Sequence, residues 1–159
     1  MATEVLLVKK ITAFAFVALA LTACSSAEKQ AQQEKEFLHN ETSLAAAQRN
    51  AAVACSDTAQ CDAAWVLTKR YIEQHSDTPV TRADAAAIDT DVPYDSGKAA
   101  FSATRVANGA GATLTVFAQC RGMYGPDKSK GSDYDECAEK ILKTQNGYVA
   151  FIRSHASGQ

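Results

Sequence analysis

Histidine, serine and aspartate stand side by side at His75-Ser76-Asp77, and these are the residue types that nucleophilic catalysis uses. Such catalysis needs a base held against the nucleophile and a third group that orients the base. Adjacent side chains point apart, so we interpret the run as a turn that ends a helix, where His75 meets the favourable end of the helix dipole. No other catalytic pattern stands out, and we expect a protein that is not an enzyme.

Metal ligands are present, but their spacing is poor. Asp89, Asp91 and Asp95 offer oxygen ligands for calcium. Pro93 and Tyr94, however, occupy positions where the helix-loop-helix calcium site needs a ligand and a glycine turn. The three histidines are scattered and no C-x-x-C pair occurs, which argues against zinc. We therefore expect no metal and no cofactor.

The N-terminal residues have the pattern of an export signal. The uncharged run 11–23 follows Lys9-Lys10, as an h-region follows an n-region, and it is shorter than the about 20 apolar residues of a spanning helix. Its end, Leu21–Cys24 with the sequence LTAC, resembles the lipobox of bacterial lipoproteins. The alternative is an ordinary secretory leader that happens to end in cysteine. Because Glu4 and apolar residues precede the lysines, we also hypothesise that translation starts at position 8.

The lipobox resemblance implies where the protein resides. In that family the signal peptide, here residues 1–23, is removed, and Cys24 becomes a first residue that carries three acyl chains. One acyl chain binds a membrane only marginally, whereas two or more anchor a protein stably. An aspartate directly after the lipidated cysteine marks retention at the inner membrane in the best-known sorting rule, and here Ser25 follows. We expect an outer-membrane lipoprotein with its domain facing the periplasm.

The other cysteines are candidates for disulfide bonds. Lipidation of Cys24 removes one from an odd set of five and leaves an even set in an oxidising compartment. Four cysteines allow three pairings. We predict local closure because each local pair brackets a short loop beside a predicted helix. The predicted pairs are Cys55 with Cys61 and Cys120 with Cys137.

The charge balance excludes one class of partner. The chain has 16 Lys+Arg against 18 Asp+Glu, with no basic cluster, whereas nucleic-acid binding depends on basic groups that release counterions from phosphates. We expect no nucleic acid. The expected partners are the membrane, through the lipid anchor, and another envelope protein. The oligomeric state stays open.

Composition divides the mature chain into a tether and a domain. Residues 24–50 are rich in Ala, Gln, Glu and Lys and carry few large apolar side chains. We predict a lipidated N-terminus and tether there, coil-like at first and helical from about Ser43. The folded, disulfide-stabilised domain is predicted to span residues 51–159.

Periodicity within the domain predicts a helix, then strands. Asp57 and Gln60 form a capping pair before an apolar stripe of helical spacing, so a helix is expected over 58–75. Alternating segments at 101–106 and 113–119 flank an Asn-Gly pair and predict a hairpin. A weaker strand is expected over 85–90.

The C-terminal third is predicted to be a loop, a helix and a last strand. Residues 121–132 hold three glycines and a proline and form the loop. Ser132 and Asp135 begin a helix, which Asn146-Gly147 is expected to end. For residues 148–152 we favour a strand over a final helical turn, because aromatic and β-branched residues cluster there.

These elements predict an α+β domain. It has a small antiparallel sheet of three to four strands, with two helices on one face, preceded by the helical tether. Two functions remain. The leading one is a non-enzymatic lipoprotein that binds another envelope protein through a sheet edge or a helix face. The alternative is an inhibitor or immunity protein that blocks a cell-wall hydrolase with the exposed loop 121–132.

Overall fold

The structure is a computed structural model that describes residues 2–156, with side chains from residue 26 onward. Cys24, the expected lipidation site, lies outside the residues whose side chains are described. The chain divides into two compact units, of which the first ends at His39 and the second begins at Asn40. Within the described residues, no helix is both long and apolar enough to cross a membrane.

The architecture is α+β, as predicted. The sheet has five strands in the order β1-β5-β4-β3-β2, and every neighbouring pair is antiparallel. The predicted counts of three to four strands and two helices are slightly low, since the described residues form five strands and three α-helices. The elements are α1 Ala2–Asn50, β1 Ala52–Cys55, α2 Thr58–His75, β2 Val80–Ala83, β3 Ala87–Thr90, β4 Ala99–Asn108, β5 Gly111–Cys120 and α3 Tyr134–Ala156, with a short 3-10 helix at Pro126–Lys128.

The segment predicted as a tether is helical throughout its described length. The prediction of coil before Ser43 is wrong, because the Ala, Gln, Glu and Lys residues in which the segment is rich have high helix propensity. The end of α1 belongs to the second unit. There Ala47 is buried and the Gln48 side-chain amide donates to the Val116 carbonyl at 3.0 Å. The compact domain thus begins at Asn40, ahead of the predicted boundary at 51.

The predicted helix over 58–75 is confirmed as α2. The Asp57 carboxylate accepts a hydrogen bond from the Gln60 N–H at 2.9 Å, and the Gln60 side chain accepts one from the Ser56 N–H at 2.7 Å. This reciprocal cap satisfies two backbone donors that the start of a helix leaves free.

The long hairpin of β4 and β5 forms the centre of the sheet. Both strands extend beyond the predicted segments, and Asn108 pairs with Gly111. The turn therefore consists of Gly109 and Ala110 rather than the Asn-Gly pair. Only the glycine has a positive φ, +63°, which matches a two-residue turn with glycine at its first central position.

Helices α2 and α3 pack on one face of this sheet. Buried residues alternate with partly exposed ones over Gly111–Val116 of β5 and from Phe101 to Thr104 of β4, as expected when only one face is covered. The centre of the core includes Ile72, Ile88, Phe101, Leu114, Val116 and Tyr148.

The predicted strand at 148–152 is wrong, because α3 continues through Asn146-Gly147 to Ala156. Tyr148 and Ile152 extend the buried stripe of the helix, so their packing outweighs their strand propensity. Gly147 lies inside α3 at the point where this helix closely approaches Tyr71. A Cβ at this position would lie 2.8 Å from the Tyr71 hydroxyl.

Two disulfides join the local cysteine pairs expected from the sequence. Cys55 is bonded to Cys61 and links the end of β1 to the first turn of α2, with Cα atoms 5.2 Å apart. Cys120 is bonded to Cys137 and links the end of β5 to α3, with Cα atoms 5.7 Å apart. The second bridge closes the base of the loop between β5 and α3.

Candidate functional site

The outer side of β1 is an unpaired strand edge. The Val116 N–H of β5 donates to the Ala51 carbonyl at 2.9 Å. In the register of β1 with β5, the next residue whose backbone N–H and C=O face β5 is therefore Val53. Because antiparallel pairs alternate, the N–H and C=O groups of Ala52 and Ala54 point to the other side. No described residue hydrogen-bonds to them there.

A groove of about 490 Å³ runs beside this edge, between α2 and α3. Its polar side chains are Gln60 and Arg153, and the rest of its lining is apolar. A segment that paired with β1 would direct alternate side chains into the groove. Its apolar walls include Ala64, Leu67, Val149 and Ile152.

The opposite edge of the sheet, β2, is protected. Its register shifts between Val80 and Arg82, which is a bulge. The Arg82 guanidinium pairs with Asp89 at 2.7 Å and with Asp84 at 3.3 Å. Bulges and charges are the usual means of preventing edge pairing, so β1 is the edge that remains open to an added strand.

His75 and Ser76 hydrogen-bond to the backbone rather than to each other. The His75 Nδ1 lies 2.8 Å from the Tyr71 carbonyl, and the ring stacks on Tyr71 with 4.0 Å between centroids. The Ser76 hydroxyl accepts a hydrogen bond from the Phe101 N–H at 2.9 Å. These contacts end α2 and attach it to β4, as the sequence predicted for a terminating turn.

Asp77 lies in an ionic cluster that connects α3 with the start of β4. Its carboxylate accepts from the Ala99 N–H at 2.9 Å and from Lys140 at 3.2 Å. Partial burial opposes ionisation of Asp77, but these two donors hold its pKa below the usual value. Lys140 also donates to the Gly97 carbonyl at 2.7 Å and pairs with Glu136, whose hydrogen bond raises the pKa of Lys140.

The three loop aspartates do not form a common site. Asp89 pairs with Arg82, the Asp91 carbonyl accepts from the Thr78 hydroxyl, and the Asp95 carbonyl accepts from a neighbouring N–H. Over the described part of the chain, no group of three His, Cys, Asp or Glu side chains is placed to hold a metal ion.

The loop after β5 is attached to the end of α1 by one carboxylate. Glu41 accepts hydrogen bonds from the Tyr124 hydroxyl at 2.9 Å and from the Tyr134 hydroxyl at 2.7 Å. Burial and the nearby Glu41 raise the pKa of Tyr124 to about 12, and they raise the pKa of Tyr134 as well. Both hydroxyls therefore remain neutral donors at physiological pH.

The exposed end of that loop has an unusual backbone. Asp127 and Lys128 both have positive φ, 56° and 58°, although neither is glycine. Ser129 closes the turn, since its N–H and its hydroxyl both donate to the Pro126 carbonyl. Hydrogen bonds from Ser129 thus close the tip of the loop, and the Cys120–Cys137 disulfide and Glu41 attach its base to the domain.

Comparison of the chain with known protein families, with curated proteins and with solved structures finds no match.

Sequence reasoning did not find β1, the strand that forms the candidate site. The segment AVAC contains one β-branched residue in four positions and gives no alternation of polar and apolar types. Its strand character comes from pairing with β5, which is a long-range contact. The one usable indication was Cys55, because a disulfide to α2 requires the preceding segment to lie beside that helix.

Proposed function

We propose that this protein is an outer-membrane lipoprotein whose periplasmic domain binds another envelope protein. The match of Leu21–Cys24 to the lipobox supports the lipid anchor. The two disulfides are consistent with export to an oxidising compartment.

The contact is the outer edge of β1, and the partner supplies an extended segment. The observation that carries this proposal is the free backbone of Ala52 and Ala54 beside an apolar groove. Main-chain hydrogen bonds to these residues provide affinity, while the groove selects small or branched apolar side chains at alternate positions of the partner.

Metabolic labelling with palmitate tests the anchor. The wild-type chain incorporates label and fractionates with the outer membrane, whereas Cys24→Ala does neither. Unlabelled wild-type protein with an uncut leader would refute the lipoprotein assignment.

Site-specific photocrosslinking in cells tests the edge. A crosslinker at Ala54 is expected to trap one envelope protein, and the matched control at Val66, which is 63% exposed on α2, traps none. For the variants of Ala54 the crosslinker is moved to Gln60. Ala54→Pro removes the outward N–H and is expected to abolish the crosslinked complex. Ala54→Ser keeps the N–H and is expected to preserve the complex. Equal trapping at Ala54 and Val66, or an unaffected complex in Ala54→Pro, would contradict strand addition.

A hydrolase inhibitor is the second candidate, and the loop tip supports it. Two hydrogen bonds from Ser129 to the Pro126 carbonyl close an exposed turn around Asp127 and Lys128, which reduces the entropy lost when such a loop enters a cleft. Assays of cell-wall hydrolases with added protein test this function. Inhibition of a hydrolase by the wild-type chain, and loss of that inhibition in the double variant Asp127→Gly/Lys128→Gly, would favour this function over the β1 proposal.

A further inference from the structure

The two helices that line the groove beside β1 run antiparallel. The Thr68 hydroxyl of α2 lies 2.8 Å from the Tyr148 hydroxyl of α3. One turn later on α2, the Tyr71 hydroxyl donates to the Thr144 carbonyl, which lies one turn earlier on α3. The start of α2 therefore lies beside the end of α3.

The Cys55–Cys61 disulfide places β1 along this axis. Cys55 ends β1, and its Cα lies 5.2 Å from that of Cys61 in the first turn of α2. Ala52 is about 10 Å from Cys55 along the strand, and Leu67 is about 9 Å from Cys61 along the helix. Since Ala52 and Leu67 both line the groove, they mark its other end.

The end of the groove near Cys55 is polar and positively charged. Gln60, in the first turn of α2, and Arg153, in the last turn of α3, line it there. Arg153 is the one charged side chain among the described residues that line the groove, and Asp57, the N-cap of α2, does not line it. A guanidinium has five N–H donors, so Arg153 can bind a partner's carboxylate in addition to a contact within the chain.

The end of the groove near Ala52 is apolar. Leu67 and Val149 line it, each next in sequence to a residue of the contact between Thr68 and Tyr148. A strand added to β1 therefore meets a positive charge at one end and apolar side chains at the other.

We propose that the partner segment pairs antiparallel to β1 and carries an acidic side chain at its N-terminal end, with apolar side chains two and four residues later. This inference rests on the proposed function, because it specifies the strand that β1 accepts. Every neighbouring pair in the sheet is antiparallel, and an antiparallel partner begins beside Cys55. Its acidic side chain then meets Arg153. Alternate side chains share one face, so the later two meet Ile152 and Leu67.

Nuclear magnetic resonance of the detergent-solubilised full chain tests the charge preference with two peptides that differ at one position. The probes are acetyl-Glu-Thr-Val-Thr-Val-Thr-amide and acetyl-Lys-Thr-Val-Thr-Val-Thr-amide, and the backbone amides of Ala52 and Ala54 report binding. The glutamate peptide is expected to bind about tenfold more tightly at low salt, because Arg153 attracts glutamate and repels lysine. This ratio should fall toward one at about 0.5 M salt.

Two variants of equal charge change separate the groove from the rest of the surface. Arg153→Glu should reverse the preference between the peptides. Arg70→Glu, at an exposed position of α2 that does not line the groove, should leave it unchanged.

The outcomes distinguish this inference from strand addition itself. Equal affinity of the two peptides, with shifts at Ala52 that Ala54→Pro abolishes, would overturn the charge preference and leave strand addition intact. Tighter binding of acetyl-Thr-Val-Thr-Val-Thr-Glu-amide would indicate parallel pairing and overturn the stated direction. Absence of shifts at Ala52 and Ala54 with every peptide, up to its solubility, would refute both proposals.

Discussion

Tyr148 gives the domain a pH dependence that a single substitution can isolate. Its side chain is buried and its hydroxyl lies 2.8 Å from that of Thr68. Burial raises the pKa of Tyr148 to about 12, whereas tyrosine in an unfolded chain titrates near 10. As the pH rises, ionisation of this tyrosine therefore stabilises the unfolded state before it stabilises the folded state. The free energy of unfolding falls from about pH 10 through 12.

We predict that Tyr148→Phe reduces this alkaline loss without removing it, because the raised pKa values of Tyr71, Tyr124 and Tyr134 contribute to it as well. At pH 7 the variant should be about 1 kcal/mol less stable, because it loses the hydrogen bond while Thr68 still donates to the Ala64 carbonyl at 2.8 Å. Denaturant unfolding between pH 7 and 11.5 measures both effects. Tyr94→Phe, at a tyrosine that is 88% exposed, is the control and should leave the curve unchanged. A wild-type slope in Tyr148→Phe would contradict the assignment.

Gly147 should respond to alanine in the opposite direction from most helical glycines. Alanine normally stabilises a helix interior by about 1 kcal/mol over glycine. Here its Cβ would meet the Tyr71 hydroxyl, which is buried and donates to the Thr144 carbonyl at 2.7 Å. We expect Gly147→Ala to destabilise the domain by about 1–3 kcal/mol in thermal or denaturant unfolding.

The same substitution should become stabilising once the hydroxyl is absent. In a Tyr71→Phe background the nearest atom of residue 71 to the new Cβ is the ring carbon, at 4.0 Å, which is ordinary contact. Gly147→Ala is then expected to gain up to about 1 kcal/mol. Additive effects of the two substitutions would show that the close approach is not what limits position 147.

Among the helices and strands, those with local determinants were predicted best. α2 has a capping pair, a regular stripe and a following proline, and its bounds were found. α3 was cut short because Asn146-Gly147 is a local stop that the packing of Tyr148 and Ile152 overrides. β1 and β2 were missed because four-residue strands depend on partners distant in sequence.

The two disulfides should differ in their contribution to stability. The loop closed by Cys120 and Cys137 spans a sequence separation of 17, against 6 for Cys55 and Cys61. Loop-closure entropy then assigns about 3 kcal/mol to the first bond and about 2 kcal/mol to the second. Paired Cys→Ala variants, compared by urea unfolding, measure the difference. A larger loss from the Cys55 and Cys61 pair would mean that native contacts rather than chain entropy dominate.

The domain as a folding unit includes the last turns of α1. A fragment of residues 40–159 is expected to unfold with the same free energy as a fragment of residues 24–159, because the compact unit begins at Asn40. A fragment of residues 51–159 lacks Gln48 and leaves the Val116 carbonyl without that donor, which should cost about 1–3 kcal/mol. Urea unfolding of both fragments provides the comparison. Equal stability would place the boundary at 51.

The sequence predicted the region of the candidate site less well than the fold. The cysteine pairs were predicted from the residues and are confirmed, whereas export and a sheet edge or helix face as the contact stay predictions. Which edge is open could not be stated, since it depends on the bulge between Val80 and Arg82 and on β1 being last in the sheet. The charged end of the groove was equally invisible, because it depends on the antiparallel packing of α2 and α3.

An uncharged terminal strand also carries a hazard during handling of the isolated domain. β1 presents Ala52 and Ala54 with no lysine, proline or bulge among its residues. Two copies can therefore pair along these strands, and a concentrated preparation of the isolated domain is expected to form soluble oligomers. Storage at low concentration, or the Ala54→Lys substitution, should slow this oligomerisation.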